Sequence, residues 1–135
     1  MPKTFSYGRE EKLKGRKITD QLFRQGKSFT LFPLKVFYMP VIEILDFPVK
    51  AGVGTSNRNF KKATDRNRVK RLLREAYRLE KSTLIDYAKA NQKHAVIFFL
   101  YIDKALPEYT VIKAKMHLAI GKLIKQLHEV AAANT

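Results

Sequence analysis

Cysteine is absent, which removes disulfides, thiolate nucleophiles and Cys-based zinc sites together. Acidic residues are scarce, with 12 Asp and Glu against 27 Lys and Arg, for a formal net charge of +15. A protein site that cuts nucleic acid usually needs clustered carboxylates to hold metal ions, and here they are few and sit mostly among bases. The three histidines, His94, His117 and His128, lack metal-site spacing, and no P-loop, G-x-S-x-G or H-E-x-x-H pattern occurs. Apolar runs stay short of the roughly 18 residues of a membrane span. Residues 1–16 are polar and charged, without the apolar stretch of a signal peptide. Internal repeats and low-complexity runs are missing too. The expectation is a soluble, cytoplasmic protein that carries no catalytic residue, metal or cofactor of its own.

What remains is basic and rich in aromatics. The 135 residues favour one domain, 1–135, with flexible ends expected at 1–12 and 132–135. Hydrophobic residues make up 45%, including nine Phe and six Tyr, enough for a real core and too much for a disordered polycation. Charge on this scale attracts polyanions. It is densest in residues 58–80, where nine Lys and Arg meet three carboxylates.

The pattern alternates helices and strands. Ile18, Leu22 and Phe23 sit at helical spacing in Arg16–Gln25, and Gly26 is suited to end that helix. Leu13 is expected to pack near it. Phe29 to Val41, rich in Phe, Val, Leu and Tyr, predicts an extended strand, with Pro33 and Pro40 at an end, edge or bulge. Glu43, Asp46 and Pro48 mark a connection. Val49, Ala51, Val53 and Thr55 then alternate with Lys50, Gly52 and Gly54, a strand whose glycine face is either merely weak or open to a close backbone. Residues 82–92 are polar and mixed, and 94–102, HAVIFFLYI, reads as a central strand buried on both faces. A final helix from Tyr109 to about Ala131 carries Ile112, Met116, Ala119, Ile120, Leu123 and Leu127 inward. Met116 and the three histidines read as packing or surface residues.

The segment Arg58 to Tyr77 is the informative one. At about 100° per residue from Arg66, the apolar Val69, Leu72, Leu73 and Ala76 fall at about 300°, 240°, 340° and 280°. Arg66, Lys70, Arg74, Asn67, Arg78 and Arg71 span about 0° to 140°, with Arg68 apart at about 200°. A merely solvated face would mix signs, yet this arc holds no carboxylate. Like charges at i,i+4, as in Arg66–Lys70 and Lys70–Arg74, each cost a few tenths of a kcal/mol in an isolated helix, roughly 0.2–0.5. An anionic ligand such as phosphate would offset that repulsion. Pattern alone therefore reaches an α/β RNA- or DNA-binding domain, and a ribosomal or ribosome-assembly protein fits it as well. A membrane-surface role would need apolar groups free to insert, and this helix commits its stripe to the core.

The run Arg66-Asn67-Arg68-Val69-Lys70-Arg71-Leu72-Leu73-Arg74-Glu75-Ala76-Tyr77 closely resembles the RNR box of the bacterial ribonuclease P protein component. The Lys17–Gly26 helix, the Phe29–Tyr38 strand and Ala51–Thr55 agree with that family, and the resemblance spans roughly residues 10–130. Two positions depart. Asn57-Arg58-Asn59 stands where the family commonly has Ser-Lys-Lys, with Lys61-Lys62 downstream, and Thr19 replaces one of two helix aromatics, leaving Phe23.

The resemblance implies an α/β (α+β) two-layer sandwich like domain 2 of ribosomal protein S5. About four mixed strands and three helices are expected, with an unusual left-handed β-α-β crossover around the basic helix. It also implies the small subunit of an endoribonuclease whose catalytic centre is RNA and which removes the 5′ leader of precursor tRNA. The partners would be that RNA and the precursor tRNA, with no membrane and no obligate protein partner, and Mg2+ would belong to the RNA-containing holoenzyme. The implied RNA-binding residues are Arg58, Lys61, Lys62, Arg66, Asn67, Arg68, Lys70, Arg71 and Arg74. A leader cleft would be lined by Phe23, Phe29, Phe37 and Tyr38, because aromatic faces stack on unpaired bases with little sequence preference.

Overall fold

The computed structural model describes residues 12–13, 15–41 and 48–133, with side chains through Glu129. Residues 1–11 and 134–135, which make up most of the expected flexible ends, lie outside the described residues, as do Glu43 and Asp46 of the expected connection. The elements run α1 (Arg16–Gln25), β1 (Lys27–Leu31), β2 (Leu34–Pro40), β3 (Val49–Thr55), α2 (Ala63–Glu80), α3 (Ser82–Ala90), β4 (Ala95–Tyr101) and α4 (Tyr109–Ala133).

The single strand expected from Phe29 to Val41 is a hairpin. Leu31 faces Leu34 across a two-residue Phe32-Pro33 turn, and β1 and β2 pair antiparallel. Proline cannot donate to a ladder, so Pro33 turns the chain rather than continuing the strand. The ladder order is β1-β2-β4-β3, with β2 and β4 antiparallel and β3 and β4 parallel. The crossover between β3 and β4 carries α2 and α3.

Helix α3 raises the helix count from three to four. Its polar Ser82, Thr83, Asp86 and Lys89 hide a short inward strip of Leu84, Ile85 and Ala88, and packing rather than propensity makes it helical.

Helices α2 and α4 cover one face of the sheet, and α3 packs against α4. Leu34, Val36 and Tyr38 of β2, and Ile97, Phe99 and Tyr101 of β4, meet Val69, Leu73, Ala76 and Tyr77 of α2 and the six inward residues expected of α4. The β4 run is sealed on that face, whereas Phe98 and Leu100 are only half-buried on the other. Helix α1 crosses that second face, anchored by the fully buried Leu22. Gly26 ends α1 in extended geometry, φ −74°, so no left-handed turn calls for it. The demand is space, since a Cβ there would stand 2.5 Å from the Leu22 carbonyl oxygen. Lys12 forms an isolated parallel bridge with Ala51, and the Leu13 amide donates to the Ala51 carbonyl at 2.9 Å, so this segment lines β3.

Candidate nucleic-acid interface

Two surfaces emerge, one cationic and one aromatic. The cationic one is built on α2, where Val69, Leu73, Ala76 and Tyr77 are buried. Leu72 is only half-buried, and Tyr77, at about 20° on the wheel, takes its place in the stripe. The buried face is thus rotated towards Arg66. Arg68, Asn67 and Arg71 are exposed, Lys70 and Arg74 half-buried, and Arg66, nearest the buried stripe, turns back onto the chain. The arc drawn from the sequence is therefore uneven. Its most exposed cations are Arg68 and Arg71.

Arg66 Nη1 donates to the carbonyls of Phe60 and Lys61, each at 2.8 Å. Arg58, Lys61 and Lys62 lie on the loop before the helix, with exposed side chains. That loop stands in place of the family's Ser-Lys-Lys, and it is ordered. The Asn59 amide donates to Ser56 Oγ at 3.1 Å, and Asn59 Nδ2 to the Ile102 carbonyl at 3.2 Å. Phe60 is buried against Tyr101, ring centroids 6.1 Å apart. Burial, with help from Asp103, pushes the Tyr101 hydroxyl up to about 12.

The far end of the stripe is neutralised. Arg78 Nε donates to Glu75 at 3.1 Å, and this hydrogen bond holds the Glu75 carboxyl below the usual carboxylate range. Glu80 holds α4 through His117 Nδ1 at 3.0 Å, a surface contact between helices.

The aromatic surface lies on the α1 side of the sheet. Strand register places Lys35, Phe37 and Met39 of β2 and Phe98 of β4 there, opposite Gly52 of β3. The Phe23 ring stands edge-on to both Phe37, at 5.0 Å, and Phe98, at 5.2 Å, and remains 44% exposed. Lys35 Nζ sits 5.2 Å from the Phe37 centroid. The bare glycine face of β3 is occupied by a ring and not by a backbone. A Cβ on Gly54 would come within 2.6 Å of Phe98 Cζ, and one on Gly52 within 3.1 Å of Cδ2.

Phe29 and Tyr38 do not join this surface. Their side chains point to the α4 side, since alternate residues of a strand face opposite ways. Tyr38 is buried there with its hydroxyl donating to Gln126 at 2.9 Å, and Phe29 packs against Tyr38 under Lys122 Nζ at 4.9 Å. Phe98, by contrast, does not stand out in the sequence, because β4 reads as a continuous apolar run. Its signal is the pair Gly52 and Gly54, which leaves a trough one strand away.

Among the described residues no cluster of three or more His, Asp or Glu could hold a metal, and no helix is long and apolar enough to cross a membrane.

Known proteins match this chain over most of its length. The pattern of the family described as Ribonuclease P covers residues 7–123. A Porphyromonas gingivalis ribonuclease P protein component is 32% identical over 133 residues, 98% of this chain and 97% of that protein. A Chlorobaculum tepidum protein of the same name is 30% identical over 132 residues, 90% of this chain and 85% of the relative. The fold is shared with the Staphylococcus aureus RNase P protein, at TM-score 0.66 and 19% identity over 85% of this chain and 95% of that one. It is also shared with the Thermotoga maritima RNase P protein, at TM-score 0.66 and 21% identity over 83% and 96%. Full-length similarity, the basic box on α2 and the common fold agree, and the chain belongs to the ribonuclease P protein family.

Proposed function

We propose that this chain is the protein subunit of ribonuclease P, binding the catalytic RNA subunit and the 5′ leader of precursor tRNA and assisting endonucleolytic removal of the leader. Bond cleavage and the Mg2+ it uses belong to the RNA, and the protein contributes binding and positioning in the cytoplasm. Arg68, Lys70, Arg71 and Arg74, with the loop cations Arg58, Lys61 and Lys62, would neutralise phosphates of folded RNA. Phe23, Phe37 and Phe98 would take the unpaired leader by stacking, beside Lys35 for its backbone. The observation that carries this reading is the separation of the two surfaces. A protein that bound only structured RNA would need the cations and would have no use for a partly exposed aromatic cluster on the other side of the sheet.

The test is reconstitution with the matched RNA subunit at limiting Mg2+. The expected result is faster release of the leader from precursor tRNA when the protein is added. No stimulation, with RNA binding retained, would point instead to a ribosomal or ribosome-assembly protein.

A further inference from the structure

Arg66 opens the basic box, and by sequence pattern alone it is one more phosphate contact. Its geometry says otherwise. Nη1 has two hydrogens and both are engaged, one by the Phe60 carbonyl and one by the Lys61 carbonyl. The side chain therefore reaches back across the helix start to grip the loop that precedes it. The Arg66 amide donates to the Lys62 carbonyl at 3.2 Å, so backbone and side chain of one residue hold three consecutive carbonyls. From the other side the loop is held by Asn59 Nδ2 on the Ile102 carbonyl and by the Phe60 ring on Tyr101. Tyr101 is itself fixed by its hydroxyl donating to Ala105 at 2.7 Å. Lys61 and Lys62 stand between these two anchors and Arg58 directly before the first, all exposed.

Electrostatics favours this arrangement. A cation in the first turn of a helix opposes the positive end of the macrodipole, and carbonyl oxygens beside the guanidinium relieve that conflict. Three like-charged side chains on a short loop repel one another, and the clamp holds their backbone in place against that repulsion. Ordering them beforehand lowers the conformational entropy lost when they meet phosphates.

We infer that Arg66 is a positioning residue, which clamps the loop carbonyls so that Arg58, Lys61 and Lys62 meet RNA phosphates as one preformed group. This inference rests on the proposed function, since the ligand it names is the RNA subunit.

Two measurements test it. The first uses the free protein. Arg66→Met keeps the hydrocarbon stem and removes the donors, and amide hydrogen exchange at Asn59 and Phe60 should accelerate roughly tenfold, as expected when a local opening becomes easier. Unchanged exchange would overturn the clamp, and so would global unfolding of Arg66→Met, which would make the residue a general determinant of stability.

The second is a double-mutant cycle on affinity for the RNA subunit. Arg66→Met alone should weaken binding roughly three- to tenfold, and in the Arg58→Ala/Lys61→Ala/Lys62→Ala background it should cost less than about twofold, the non-additivity of residues that act together. Equal losses in both backgrounds would show Arg66 to be an independent phosphate contact and overturn the inference. If the wild type failed to bind the RNA subunit at all, the proposed function would fall and with it the role in RNA binding. The exchange measurement needs no RNA and would still decide the clamp itself.

Discussion

The cationic face of α2 and the aromatic face of the sheet are built in opposite ways. The first comes from one helix and the loop before it, so its residues are neighbours in sequence and their placement follows from helical geometry. The second is assembled from α1, β2 and β4, whose Phe23, Phe37 and Phe98 meet only once the sheet has closed. The forces differ as well. Charge acts over about 10 Å at moderate salt, so a cation misplaced by a few ångströms still attracts phosphate. Stacking acts only at contact and needs rings at set positions. One surface tolerates drift in its residues, and the other depends on its frame.

That contrast can be broken or sharpened by substitution. The largest effect is expected from Leu73→Ala, which removes a fully buried side chain under α2 and should cost about 2–5 kcal/mol in denaturant unfolding. Because both surfaces depend on the core, both binding activities should fall together as the domain unfolds. Next is Gly54→Ala, whose Cβ would strike Phe98. Overpacking of this kind typically costs about 1–3 kcal/mol. Leader affinity should drop while RNA-subunit affinity at a temperature below unfolding stays the same. Loss of both would mean that the faces are not separable.

Arg71→Ala should do the reverse. Affinity for the RNA subunit falls, the log–log salt slope becomes shallower by about one, and the thermal midpoint hardly moves. The smallest effect belongs to Glu75→Gln. The Glu75 carboxyl is held below its ordinary range, so it is charged at neutral pH, and removing that charge should tighten RNA-subunit binding by less than about threefold. Its lowered value also means that the Glu75–Arg78 contact supports the fold above the usual carboxylate range and is lost as pH falls through the folded-state value. The pair is half-exposed, so acid unfolding of wild type and Glu75→Gln should differ little.

Much of the architecture was legible from pattern. The bounds of α1 and β3 agree with their alternation, and the six inward residues of α4 are all buried. The hairpin was not, because the apolar run reads through Pro33, and neither was α3, whose inward strip is three residues wide. At the candidate site the wheel finds the cations, but the buried face includes Tyr77 and so lies nearer Arg66 than the apolar spacing alone suggests. Resemblance alone places Tyr38 and Phe29 in the cleft, whereas alternation along β2 puts Tyr38 on the face opposite Phe37. Phe98 required the register of β4 against β3, which is a property of the closed sheet and of no single segment.

The most direct test of two separate surfaces compares precursor tRNA with mature tRNA, each bound by the protein–RNA complex, for wild type and Phe37→Ala. Base–aromatic stacking is worth about 1–3 kcal/mol per base, so Phe37→Ala should weaken precursor binding roughly ten- to a hundredfold and leave mature tRNA, which has no leader, nearly unchanged. Equal losses for the two tRNAs, or a collapsed domain, would make Phe37 a packing residue and contradict the account.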